Sequence, residues 1–220
     1  MYRPTPDYPP VCPDCNYRQS GPVFYPGGFA LYNLDIGNFT NVNRTPSGGD
    51  EISDAERLEL AARLTADGEY ERAARALGKV DTRAEELDLA KYHTVAGLIA
   101  LNQNRNEDAV RNLEDAIAAG QADPTVQLYL AQAHFALERW REALAALDAA
   151  GETADALGGV WQMRAHAWWA LGERQRALDT LGQAAARFPA NNSFTRRQVF
   201  YLIEAGLYQE AAILGRQFLR

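Results

Sequence analysis

The sequence predicts an all-α fold, a solenoid of stacked helix hairpins over residues 51–220, led by a non-helical arm over residues 1–50. Three observations predict it. A short alanine-centred motif returns at a near-constant spacing. Composition breaks sharply near residue 50. A helix-start signal, Ser53 followed three residues later by Glu56, stands just past the break and forms a capping box.

The bulk numbers suit one elongated domain. The chain has 220 residues, 47% of them apolar, and a net charge of −7. An acidic chain lacks the basic face that nucleic-acid binders carry, so no nucleic-acid partner is expected. No apolar run reaches the ~18 residues that a membrane-spanning helix needs. Met1-Tyr2-Arg3-Pro4 is not followed by the apolar core of a signal peptide. The expectation is therefore a cytoplasmic protein, or an exported one whose leader is missing from this sequence.

The arm comes first. Residues 1–50 hold eight of the ten prolines and eight aromatic residues, yet no Lys or Glu. Proline fixes φ and removes a donor, so this stretch does not continue as helix. Its aromatic content is too high for a typical solvated tail. From Ala30 the alternation Ala30, Tyr32, Leu34, Ile36 is strand-like. Fifty residues this rich in proline make a poor core of their own, so Phe24, Tyr25, Phe29, Tyr32 and Phe39 are expected to contact another surface. Thr45-Pro46-Ser47-Gly48-Gly49-Asp50 reads as the linker.

The repeat unit is found by self-similarity. Gly68-Glu69-Tyr70-Glu71-Arg72-Ala73 returns as Asn104–Ala109, Glu138–Ala143, Gly172–Ala177 and Gly206–Ala211, with the alanines spaced 36, 34, 34 and 34 residues apart. Two helices and a turn fit each period.

A 34-residue period of this kind resembles the tetratricopeptide repeat family, over about three-quarters of the chain. The fourth copy matches the family pattern best, through Trp161, Ala165, Gly172, Ala177, Leu181, Ala184 and Pro189, and departs from it at Arg174. The first supplies Leu60, Ala61, Gly68, Tyr70, Ala73 and Leu77. The second supplies Gly97, Ala109, Leu113 and Ala116; the third supplies Leu130, Ala131, Trp140, Ala143, Leu147 and Ala150. The fifth keeps Gly206, Tyr208 and Ala211 but departs at Gly215 and Phe218. Five repeats, wound as a right-handed α-α superhelix, are what the resemblance implies. Small residues would let paired helices approach, and each unit would bury its apolar face against the next.

In the family the first helix of each unit lines a concave groove. Carried over, that groove holds Leu58, Lys91, Leu98, Leu101, Asn102, Leu128, Gln132, Phe135, Gln162, His166, Trp169, Arg196, Phe200, Ile203 and Glu204. The Lys/Asn/Arg carboxylate clamp of chaperone adaptors is absent, since Leu58 and Ala62 stand at those positions of the first unit. The resemblance thus implies a protein-binding scaffold with an apolar, aromatic groove for an extended segment. Several of these residues can equally be core, and the sequence leaves that open. The arm around Phe24 to Phe39 is one candidate occupant, in the same chain or in a neighbour. The fifth unit stops at Ile213, Leu214, Phe218, Leu219 and Arg220 without the polar capping helix such arrays commonly carry, so an exposed apolar end is expected. A homo-oligomer through the arm and that end, even a head-to-tail filament or surface complex, is the alternative.

The remaining candidates are few. Cys12 and Cys15 have the spacing of half a zinc knuckle, but no second pair follows. A disulfide, two thiols, or zinc shared with another chain stay open. His93, His134 and His166 fall on three different units and read as ordinary helix residues. Asn38, Asn43 and Asn191 fit the glycosylation acceptor pattern, which matters only for a secreted chain. No nucleophile elbow, P-loop, dinucleotide loop or zinc-protease helix is present, so neither an enzyme nor a cofactor is expected.

Overall fold

A computed structural model describes residues 52–84 and 86–218. The described residues contain helices and turns and no strand. Their helices pair into successive hairpins: α1 (Asp54–Ala66) with α2 (Tyr70–Leu77), α3 (Leu89–Asn102) with α4 (Asn106–Ala118), and α5 (Pro124–Ala136) with α6 (Trp140–Ala149). A short α7 (Gly151–Asp155) precedes α8 (Gly158–Ala170) and α9 (Arg174–Arg187), and α10 (Ser193–Glu204) pairs with α11 (Tyr208–Phe218). The alternation expected from Ala30 to Val42 lies outside the described residues.

Helices α1, α3 and α5 start on side-chain caps, whereas α8 and α10 have none. Ser53 Oγ accepts from the Glu56 N–H at 3.2 Å, while the Ser53 N–H donates to Glu56 Oε2 at 3.0 Å, closing the expected capping box. Asp88 accepts from the Lys91 N–H at 2.9 Å to start α3. Asp123 accepts from the Thr125 N–H at 2.8 Å, with Pro124 opening α5.

Second helices start differently. In every hairpin one residue between the two helices takes positive φ: Gly68, Asn104, Glu138, Gly172 and Gly206, at 78°, 58°, 57°, 81° and 78°. The residue after it donates its N–H back across the helix end, as Glu69 does to Leu64 O (2.8 Å), Arg139 to His134 O (2.9 Å) and Leu207 to Leu202 O (2.8 Å). This is the Schellman closure, which satisfies carbonyls that the helix end would leave orphaned. It explains the glycine at the head of the repeated motif.

Packing follows the small residues. Ala73, Ala109, Ala143 and Ala177 are fully buried, and Ala211 nearly so. At Gly97 a β-carbon would sit 2.7 Å from Leu113 Cγ, so α3 and α4 approach too closely for any side chain there. Leu113, Leu147 and Leu181 fill the space between hairpins. Three core clusters run along the stack, each bridging neighbouring hairpins, as one-dimensional stacking requires.

Two irregularities break the period. Helix α2 has eight residues where α4 has 13, and a turn-rich stretch from Gly78 to Asp88 absorbs the two extra residues of the first spacing. The shortfall opens a cavity of about 390 Å³, floored by Leu77, Tyr92 and Ile99 and rimmed by Arg105, Asp108 and Arg111. Helix α7, which the sequence pattern did not suggest, is held by Arg164. That side chain pairs with Asp155 and donates to Leu147 O at 3.2 Å, while Trp161 Nε1 donates to Asp155 O at 3.0 Å.

Candidate functional site

The first helices stand side by side and form one face. Helix α1 contacts α3, and α3 contacts α5. Ring contacts continue the row: Phe135 on α5 lies 5.3 Å from His166 on α8, and Trp169 on α8 stacks on Tyr201 of α10 at 4.1 Å and 7°.

Along this face exposure changes from end to end. Leu58, Leu101, Leu128 and Phe135 are buried members of the core clusters, with Leu128 fully enclosed. Leu98 and Gln132 are buried as well. For the four core members the structure displays a packing role, one of the two readings the sequence left open. A side chain without accessible surface offers a ligand nothing. Lys91 is half-buried and pairs with Glu59. Asn102 is half-buried, and so is Gln162, which donates to Ser193 Oγ at 2.8 Å.

Towards the last hairpins the face opens. His166 and Trp169 are half-buried, and Arg196 and Glu204 are exposed. Phe200 and Ile203, neighbours on α10, are 49% and 48% exposed. The groove residues therefore divide into a packed row and an open end.

Aromatic and cationic groups gather at the open end. Phe135, Trp140 and His166 form a three-ring cluster with centroids 5.0–5.3 Å apart. Arg174 lies 5.7 Å over Trp169, and Arg197 lies 5.9 Å over Tyr201. Burial pushes the Tyr201 phenol up to about 12, with Arg197 opposing. Burial lowers His166, and Arg197 adds to the effect, so a neutral imidazole is favoured.

Sequence reasoning missed Trp140, Arg197 and Tyr201 in this cluster, because it followed fixed repeat positions and these three belong to others. It also missed a charge gradient legible in the residues. Positions 52–157 carry 11 basic and 20 acidic residues, whereas positions 158–220 carry eight basic and four acidic. The open end of the face is thus the cationic end of the chain.

The other predicted residues do not converge. His93 Nδ1 lies 3.4 Å from Asn112 Oδ1, on another part of the stack. His134 is buried on α5, its ionisation disfavoured chiefly by desolvation, and its Nδ1 has no partner among the described residues. Asn191 is exposed, with Oδ1 accepting from the Ser193 N–H at 3.1 Å. Cys12, Cys15, Phe24, Tyr25, Phe29, Tyr32, Phe39, Asn38 and Asn43 lie outside the described residues.

Hairpins in this stack, with alanine-lined closure and left-handed turn residues, define the tetratricopeptide class of helical solenoid. A family model described as tetratricopeptide repeat matches residues 94–156. Residues 94–156 are thus similar to the tetratricopeptide repeat, and the described helices share the fold of such protein-interaction scaffolds. Among solved structures it is similar to MamA of AMB-1, at 18% identity and a TM-score of 0.66, covering 77% of this chain and 91% of that one. MamA of MSR-1 gives 18% and 0.66 over 76% and 95%. MamA from Desulfovibrio magneticus RS-1 gives 16% and 0.64 over 79% and 96%. At such identities the likeness concerns the fold. No curated protein sequence matches the chain.

Proposed function

We propose that this protein is a non-enzymatic protein–protein interaction scaffold whose first-helix face takes an extended peptide segment at its open end, on hairpins α8–α9 and α10–α11. In this reading residues 51–220 form a five-repeat solenoid, residues 1–50 are an arm, and the arm of the same chain or a neighbour is a candidate ligand. The observation that carries it is the exposure of Phe200 and Ile203 beside Arg196, in line with the stacked Trp169 and Tyr201. Apolar side chains left open on a rigid face and flanked by cations favour aromatic or aliphatic ligand residues accompanied by carboxylates. His166, Trp169, Arg196, Phe200 and Ile203 would meet the ligand, while Leu98, Leu101, Leu128, Gln132 and Phe135, on α3 and α5, belong to the packed row of the same face.

A panel of extended synthetic peptides tests the proposal, with aromatic and aliphatic residues flanked either by Asp or by Lys. Binding to the full chain, read by fluorescence anisotropy, should favour the Asp-flanked set. It should weaken at least tenfold when Phe200→Ala and Ile203→Ala are combined, since each buried side chain contributes about 1.5–3 kcal/mol. Equal binding of both sets, or no effect of the double substitution, would refute it.

A second reading, assembly of copies head to tail, is favoured by a different observation. Leu207 occupies the repeat position held by Glu69, Arg105, Arg139 and Glu173 in the other hairpins. Ile213 occupies that of Arg75, Arg111, Ala145 and Asp179. Both are exposed, and Tyr208 beside them is 67% exposed. At the other end Leu60 is exposed at the position from which Arg164 and Gln198 reach the preceding hairpin. In this reading the full chain scatters light as species larger than a monomer, and Leu207→Glu with Ile213→Glu returns it to monomer mass. A wild-type chain that is monomeric at every concentration rules the assembly out.

A further inference from the structure

The first-helix face has a cationic, apolar open end at α10, and the chain carries an aromatic segment of opposite charge a fixed number of residues before α1. We propose that residues 29–39 of the same chain dock on that open end, with Asp35 beside Arg196. The proposal rests on the interaction-face reading above and adds its occupant and register.

Reach sets the shortest linker and so the nearest register. The N-terminal segment joins the solenoid at Ser53, the N-cap of α1. From α1 to α10 the face crosses four helix-to-helix steps, through α3, α5 and α8. At about 8–10 Å per step the span is roughly 32–40 Å. An extended chain rises about 3.3 Å per residue, so roughly 10–12 residues cover it. Counted back from Ile52, these are residues 40 to 51, which contain no aromatic residue and a single large aliphatic one, Val42. They would pass over the packed row, where Leu128 offers no surface. Residues 29–39 then arrive at α8 and α10.

Chemistry matches at that point. This segment brings Phe29, Tyr32, Leu34, Ile36 and Phe39 to the part of the face where Phe200 and Ile203 are open. Asp35 is its one charge, and no cation lies between Arg18 and Arg44. Arg196 is exposed, and the chain from residue 158 onward carries an excess of basic over acidic residues. Docked in this way, the arm competes with any other peptide for the open end, and a partner binds only by displacing it.

Crosslinking in the full chain tests the register. In a Cys12→Ser, Cys15→Ser background, Asp35→Cys is combined with Arg196→Cys, or with Lys91→Cys near the start of the face, and treated with a short bis-maleimide at low protein concentration. The Asp35/Arg196 pair should give an intrachain product, identified by mass after proteolysis, and the Asp35/Lys91 pair should not. A product joining two chains, equal yields from both pairs, or none from the first would overturn the proposal. Asp35→Arg supplies a measurement without cysteines. Loosening the arm should raise the apparent affinity of the Asp-flanked peptide about tenfold, because the binding-competent fraction rises. An unchanged affinity would also overturn it. If peptides still bind through Phe200 and Ile203 while crosslinks and affinity do not respond, the arm's role fails and the interaction face stands; if peptide binding fails too, both fall.

Discussion

At the residue scale, backbone geometry and close approach decide more than chemistry does. Gly172 has positive φ, and a β-carbon there would meet nothing within 4 Å, so its requirement is purely conformational. Gly172→Ala should cost about 1–2 kcal/mol in urea unfolding. At Gly97 the cost has a different origin, since the added methyl would collide with Leu113. Gly97→Ala should destabilise by about 1–3 kcal/mol, the usual cost of overpacking. His134 gives a pH signature. Burial lowers its folded-state pKa, and Glu114, Glu142 and Glu107 oppose that shift while Arg139 supports it. The sign follows from linkage: stability is complete above the unfolded value of about 6.5 and declines as pH falls below it towards the lowered folded value. His166 shifts in the same direction and adds to the slope. His134→Gln should flatten the decline between neutral and mildly acidic pH, measured as the denaturation midpoint at each pH.

At the element scale, caps and turns set where helices begin, and both are local. The Ser53–Glu56 box was legible because it depends on two residues three apart. Ser53→Ala should cost about 1 kcal/mol. In a stacked array each hairpin touches only its neighbours, so the loss should be read locally. Amide exchange should accelerate in α1 and α2 and stay unchanged in α5 and α6. The early end of α2 and the insertion of α7 were not legible. Helix α7 answers to packing against neighbouring hairpins, through the ties of Arg164 to Asp155 and Leu147, and the early end of α2 leaves the cavity beside Tyr92.

Over the whole molecule, the separation of charge is the dominant feature, with acid in excess up to residue 157 and base beyond it. If copies associate head to tail, opposite ends attract, and raising salt from about 0.1 to 1 M shortens the screening length from roughly 10 to 3 Å. The mass from light scattering should then fall as salt rises; a mass that rises instead would point to apolar contact alone.

Repetition let the sequence by itself determine the hairpin stack. A 34-residue period, an alanine at each close approach and a glycine or asparagine at the positive-φ turn of four units, with Glu138 in the third, are local features, written once per unit. The groove residues were only half legible, for a physical reason. Leu128 and Arg196 occupy the same repeat position, as Gln132 and Phe200 occupy another, yet the first of each pair is buried and the second exposed. Position in the repeat fixes the direction in which a side chain leaves its helix. Only the tertiary structure, by what it packs over that side chain, decided which of them remain open to a partner.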